Sequence, residues 1–241
     1  MSRDELDARI KMADEKIVAL RRDIAVFCEQ QRPRITIEKN GQKRSTLARM
    51  PRVNIPVGWR IRIGIIVYLL RSSLDHLVWQ LVLDNENTPD YRNEFPIFRP
   101  VFGEMRDVDR MLKGVDDRSK HKILTFNHDC RFNLRPLWDL NALCNIDKHR
   151  HANVALSDLN GLSDDYRRKE YLYAEEVSGL PEIGKDDLVV EIRFQGEDNV
   201  SEKERGPSGE VIEKLEMCSA AVKGVINHIL NNAPISWPFL L

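Results

Sequence analysis

The sequence predicts a mainly helical α+β protein, in which a helical bundle carries an N-terminal β-hairpin and a small antiparallel sheet inserted before the last helix. Three observations predict this class. Apolar residues recur in alternating steps of three and four over residues 2–30 and again over 208–230, which is typical of amphipathic helices. Asn40-Gly41 separates two short β-favouring runs, a strong local hairpin signal. Strand-like runs replace the helical period after about residue 165.

The first helix, predicted over residues 2–30, has an apolar seam that continues for three heptads. Ser2 and Glu5 have the spacing of a capping box, in which each side chain bonds a free backbone N–H of the first turn. We expect the seam to pack either on the rest of the chain or, as a coiled coil, on a second copy. The seam consists of Leu6, Ile10, Ala13, Ile17, Leu20, Ile24 and Phe27.

A basic hairpin is predicted over residues 32–56. The segment from Arg32 to Arg62 holds nine basic residues and one acid, Glu38, in a chain whose formal net charge is -1. Such a strip either binds the RNA backbone by releasing counterions or forms a solvated hairpin that acidic surfaces elsewhere balance. The candidates for contact with the RNA backbone are Arg32, Arg34, Lys39, Lys43, Arg44, Arg49 and Arg52.

The rest of the chain is predicted to form a helical core, a β insertion and a last helix. The core covers residues 59–151, with a central helix at 59–83 that is apolar almost all round and a further helix at 134–150. The β insertion covers 165–200. The last helix, at 208–230, has a seam like that of the first, so we expect these two helices to pack together within a single domain of 241 residues.

Two polar clusters stand out in the helical core, because burying a charge is costly unless it is paired. The central helix carries Arg71 and Asp75, which are four residues apart and can form an ion pair, next to His76. Packing of the central helix on the helix at 134–150 is expected to bring both clusters into one polar centre. The second cluster consists of Asn145, Asp147, Lys148, His149 and Arg150.

Two blocks of sequence resemble the motifs of a widespread family of largely uncharacterised bacterial proteins. Residues 71–79 read RSSLDHLVW and residues 145–150 read NIDKHR, with the FPIF segment at 95–98 between them. The first block also has the form Arg, four residues, His of the HEPN superfamily. The resemblance implies a helical bundle, a homodimer and a metal-independent endoribonuclease of a toxin–antitoxin, phage-defence or RNA-processing system.

The chain departs from the HEPN pattern at positions that are usually polar. Ser72 follows the arginine, where HEPN sites usually carry a residue such as Asn, and Ile65, Tyr68 and Leu69 replace polar residues that precede it. If the missing groups complete the site in other members, the site in this chain is weakened or inactive.

Three functions compete for these residues. As a ribonuclease, the protein would use His76 as general base on a ribose 2′-OH and Arg71, next to Asp75, to stabilise the phosphoryl transition state without a cofactor. A straight helix turns by about 140° between Arg71 and His76, so the pair would have to act at a kink or across a dimer axis.

In the second function, Arg71 and Asp75 form a structural ion pair, and the protein is a non-catalytic dimeric binding or scaffold protein. The third is a metal site between facing helices, for which several residues have suitable side chains. The candidate ligands are Asp75, His76, Asp147, His149 and His151.

Composition argues against several other classes of protein. The longest apolar run, at residues 63–70, is far shorter than the roughly 20 residues that span a bilayer. Cys28, Cys130, Cys144 and Cys218 show no Cys-x-x-Cys spacing and indicate thiols of a reducing cytosol. Neither a glycine-rich phosphate loop nor a nucleophile elbow occurs. We therefore expect a cytoplasmic protein without membrane contact, and its candidate partners are RNA, a second copy and an antitoxin or defence-system protein.

Overall fold

The computed structural model describes residues 3–31, 36–40, 45–49, 54–97, 107–129, 135–149, 154–158, 172–174, 190–194 and 209–231, with side chains for 3–30, 54–97, 107–126, 135–147 and 210–231. Six helices occupy most of this part of the chain. They are α1 Arg3–Gln31, α2 Val57–Asp84, α3 Val108–Met111, α4 Asp117–Asp129, α5 Arg135–His149 and α6 Val211–Asn231. None of these helices, over its described residues, is both long and apolar enough to cross a membrane.

Helix α2 is the centre of a helical bundle. It packs against α1, α5 and α6, and α6 also packs against α1 and α5. The face that α2 turns to these helices is aliphatic, and burying each such side chain contributes about 1.5–3 kcal/mol relative to leaving it in water. This face includes Ile63, Ile66, Leu70, Leu74, Leu77 and Leu81, all of which are buried.

The seam of α1 packs inside the chain rather than on a second copy. Ile17 and Leu20 are no more than 2% exposed. Near the end of α1, the ring of Phe27 meets that of Trp59 on α2 edge to face, with the ring centroids 5.1 Å apart. Of the two predicted environments for the seam, the structure therefore contains the intramolecular one.

The predicted α+β class is wrong. Helices make up 82% of the part of the chain whose side chains are described. Every buried apolar side chain in that part lies on a helix or on the connections before and after α3. A fold class follows from the elements that build the core, and here those elements are helices packed on helices. The described core is that of a helical bundle, not of the predicted HEPN-like bundle with a sheet insertion.

The chain also has short strands, whose side chains lie outside the described part except at Glu210. Apart from the predicted hairpin at residues 36–49, they pair differently from the prediction. They are β1 Thr36–Asn40, β2 Ser45–Arg49, β3 Val154–Asp158, β4 Leu172–Ala174, β5 Val190–Phe194 and β6 Gly209–Glu210. The backbone forms two antiparallel sheets with strand orders β1-β2-β4 and β3-β5-β6. The sequence predicts one separate sheet before the last helix, whereas β4 adds to the β1–β2 hairpin and β5 lies between β3 and β6.

Candidate functional site

Arg71 and Asp75 of α2 hold the segment that follows this helix. Arg71 Nη1 donates a hydrogen bond to Asp75 Oδ1 at 2.5 Å, and Nη2 donates to the backbone carbonyl of Phe95 at 3.0 Å. Asp75 Oδ1 accepts a hydrogen bond from the Phe95 N–H at 2.9 Å. The ion pair thus satisfies both backbone groups of Phe95, which is only 1% exposed. We refer to these three residues as the Phe95 clamp.

The clamp leaves little of the Arg71 guanidinium for a substrate. Its side chain is 12% exposed, and the Glu94 carboxylate lies 3.8 Å from Nη2 as a second negative charge. A group that stabilises a phosphoryl transition state must have donors aimed at the place where the charge develops. Here the donors are aimed at Asp75 and at a backbone carbonyl, which is the structural ion pair expected as the alternative to catalysis.

His76 lies on a different side of α2, where this helix meets the first turns of α1. Arg9 of α1 donates a hydrogen bond to Ser72 Oγ at 3.3 Å, one turn before His76. Burial lowers the pKa of His76 from its ordinary value of 6.5, and the positive charge of Arg9 lowers that pKa further, against the opposing effect of nearby carboxylates. Asp75 acts on both residues, since it pairs with Arg71 and its charge raises the pKa of His76. The donors of Arg71, however, bond Asp75 and Phe95 and do not reach His76.

The second polar cluster meets α2 at Gly64 rather than at Arg71. A Cβ atom on Gly64 would clash with the carboxylate of Asp147, so the absence of a side chain lets α5 approach α2 there. Gly64 precedes Arg71 by two helical turns, or about 10 Å along the helix. Asn145 is exposed. The described side chains thus do not form the expected common polar centre, and three members of the cluster lie outside them: Lys148, His149 and Arg150.

Two further predictions fall largely outside the described residues. In the basic strip, Lys39 lies in β1 and Arg49 in β2, but the side chains of these strands are not described. The remaining candidates for RNA contact lie outside: Arg32, Arg34, Lys43, Arg44 and Arg52. Among the described side chains, no three His, Cys, Asp or Glu residues are placed to hold a metal ion, and two of the predicted ligands, His149 and His151, lie beyond them.

An apolar stripe on the solvent side of α2 was not predicted from the sequence. Tyr68 is 61% exposed, and Trp79 is 38% exposed. The α2 stripe, as we name it, consists of Ile61, Ile65, Tyr68, Ser72, His76, Trp79 and Leu83. Because apolar residues lie on all faces of α2, the sequence predicts that this helix is buried on all sides. The signal that could have revealed the stripe is its regular spacing by three and four residues.

Comparison with known proteins assigns neither a family nor a function. No family model, no curated protein and no solved structure matches the chain.

Protonation of His76 is expected to destabilise the fold at acidic pH. Because burial holds the folded-state pKa below 6.5, the unfolded chain binds this proton first as the pH falls. The contribution of neutral His76 to the free energy of unfolding is therefore fully present above pH 6.5. This contribution is lost as the pH falls through the folded-state pKa. Urea unfolding at about pH 7.5 and about pH 5 should show a larger loss in the wild type than in His76→Gln.

The control for this experiment is His121→Gln, since His121 is an exposed histidine of α4. This variant should lose as much stability between the two pH values as the wild type. Equal losses in the wild type and in His76→Gln would contradict the expectation.

Proposed function

We propose that this protein is a non-catalytic helical binding protein and that the α2 stripe is the surface through which it binds another protein. The observation that carries the proposal is the exposure of large apolar side chains on the helix that also forms the centre of the core. Contiguous apolar patches on a protein surface commonly mark a site of protein–protein interaction. Tyr68 and Trp79 also belong to the residue types that are enriched in such interfaces.

The Phe95 clamp supports the same proposal. A nuclease site would need the charge of Arg71 near His76, but this charge is neutralised by Asp75 and used to hold backbone. The spacing of Arg71 and Asp75 is therefore accounted for by packing of the connection after α2. His76 does not share a face of α2 with Arg71 and is one member of the α2 stripe.

One observation favours a second candidate function, a metal-independent ribonuclease. The lowered pKa of His76 keeps its imidazole neutral at neutral pH, which is the protonation state that a general base on a ribose 2′-OH requires. With Arg71 engaged in the clamp, the phosphate charge would have to be met by Arg9, which bonds Ser72 one turn away. The products would carry a cyclic phosphate and a 5′-OH.

Purified protein incubated with total RNA in EDTA is expected to leave the RNA intact, because the donors of Arg71 bond Asp75 and Phe95 and are not aimed at a substrate. A denaturing gel followed over time measures the cleavage. His76→Ala and the matched variant His121→Ala should behave like the wild type. Cleavage that is lost in His76→Ala and retained in His121→Ala would overturn the proposal in favour of the ribonuclease.

Binding of RNA without cleavage is a separate outcome of the same preparation. Binding that weakens steeply with salt would add RNA to the partners, with the basic strip at residues 32–56 as its contact surface. The antitoxin or defence-system partner stays a prediction of the sequence resemblance.

A further inference from the structure

The α2 stripe is symmetric about Ser72. Counted from this residue, its other members stand four, seven and eleven positions away in both directions. Because each residue turns an α-helix by about 100°, all seven lie within about 40° of Ser72 around the helix. Each member before Ser72 thus has a counterpart after it. The pairs are Ile61 with Leu83, Ile65 with Trp79, and Tyr68 with His76.

This spacing fits contact between two antiparallel copies of α2. In a two-fold symmetric dimer the same patch meets itself, so a residue at a given distance before the axis meets the residue at that distance after it. An axis at Ser72 places Ile61 against the partner's Leu83 and Ile65 against the partner's Trp79. Both ends of the contact are then apolar on both sides.

We infer that the protein covering the α2 stripe is a second copy of this chain, bound with its own α2 antiparallel. The inference rests on the proposed function, because it names the partner of that same surface. It differs from the coiled-coil dimer considered for the first helix, since the seam of α1 is buried within the chain.

The size of the stripe agrees with this partner. From Ile61 to Leu83 it extends for about 33 Å along the helix. Given the exposed fractions of its members, the stripe presents roughly 600 Å² to solvent, at the upper end of the patches that monomers usually expose. A stable interface covers about 800 Å² of each partner, so the stripe supplies most of that area and the flanks of α2 can supply the rest.

The centre of the stripe suits a two-fold axis. Ser72 is small, which lets two helices approach closely where they cross. Beside it, the hydroxyl of Tyr68 comes within reach of the partner's His76, and a neutral imidazole can accept its hydrogen bond. Arg9 borders this centre from α1, and Glu5, one turn away on the same helix, offsets its charge.

Introducing opposite charges at the two ends of the stripe tests both the identity of the partner and the antiparallel direction of its α2. Ile61→Glu and Leu83→Lys should each weaken the dimer by about tenfold or more in sedimentation equilibrium, because each puts an unpaired charge into an apolar contact. The double variant should dimerise within about threefold of the wild type, because the new carboxylate at position 61 then faces the new amine at position 83 of the other copy.

An aromatic pair provides the matched control. Tyr68→Glu and Tyr91→Glu make the same substitution at positions that are 61% and 85% exposed, but Tyr91 lies outside the stripe. Tyr68→Glu is expected to give monomers, whereas Tyr91→Glu should leave the dimer unchanged. Circular dichroism checks that both variants keep the helical content of the wild type.

A wild-type protein that stays monomeric at about 100 µM would overturn the inference, and so would a dimer that every stripe variant leaves intact. A double variant that dimerises more weakly than either single variant would overturn the antiparallel arrangement. RNA cleavage by a protein that dimerises in this way would overturn the proposed function alone. A monomer that leaves RNA intact would overturn the dimer alone.

Discussion

Replacing Arg71 with alanine is expected to lower the free energy of unfolding by about 3 kcal/mol, because it leaves both hydrogen-bond partners of the part-buried guanidinium unsatisfied. The Asp75 carboxylate loses its cation, and the backbone carbonyl of Phe95 loses its donor. The side chain of Asp75 is 34% exposed, so water compensates part of the loss, and we place the cost at the lower end of the range for such pairs. Urea unfolding followed by circular dichroism measures it.

Arg62 provides the matched control for this prediction. It also lies on α2 and forms an ion pair, with Asp23 of α1, but its side chain is 41% exposed and that of Asp23 is 44% exposed. Exposed pairs contribute about 1 kcal/mol or less, so Arg62→Ala should have a correspondingly small effect. Equal losses of stability in Arg71→Ala and Arg62→Ala would contradict the stabilising role of the Phe95 clamp.

The same variant separates a structural role of Arg71 from a catalytic one. A residue retained for catalysis commonly adds little to stability, and its replacement can even stabilise the fold. If Arg71→Ala left the unfolding free energy unchanged but abolished an RNA cleavage activity, the ribonuclease would replace the binding protein as the best function.

The helical bundle could be predicted from the sequence because helix periodicity is a local signal. The seam of α1 recurs over a stretch in which Leu6 and Leu20 both turn out to be buried. The strand pairing could not be predicted in the same way. Pairing of Leu47 in β2 with Tyr173 in β4 joins residues far apart in the chain, and no local pattern specifies that register.

The clamp was predictable in part. The spacing of Arg71 and Asp75 predicted that they could pair, since residues four apart share a face of a helix. Their common partner, Phe95, could not be predicted, because the bonds go to its backbone N–H and carbonyl, which every residue except proline carries. The direction of His76 away from Arg71 follows from helix geometry, but its contact with α1 required the packing of two helices.

Phe95→Ala is expected to lower the free energy of unfolding by about 4 kcal/mol, because it removes a fully buried ring and leaves a cavity. Phe95 is 1% exposed and is among the largest fully buried side chains of the described core. The control is Tyr91→Ala on the same connection. Tyr91 is 85% exposed, so its loss should change stability by no more than about 0.5 kcal/mol. Similar effects of the two substitutions would show that the ring does not anchor the segment.

Combining Arg71→Ala with Phe95→Ala is expected to cost about 1–2 kcal/mol less than the sum of the two single effects, because groups in one hydrogen-bonded contact do not act independently. Either substitution alone already loosens the connection from α2, so the second has less structure left to lose. Leu20→Ala, in the core of α1, should instead add fully to Arg71→Ala. If the Arg71–Phe95 pair were as additive as the Arg71–Leu20 pair, Arg71 would stabilise the protein without holding Phe95. The Arg71 guanidinium would then be available for a site shared with His76.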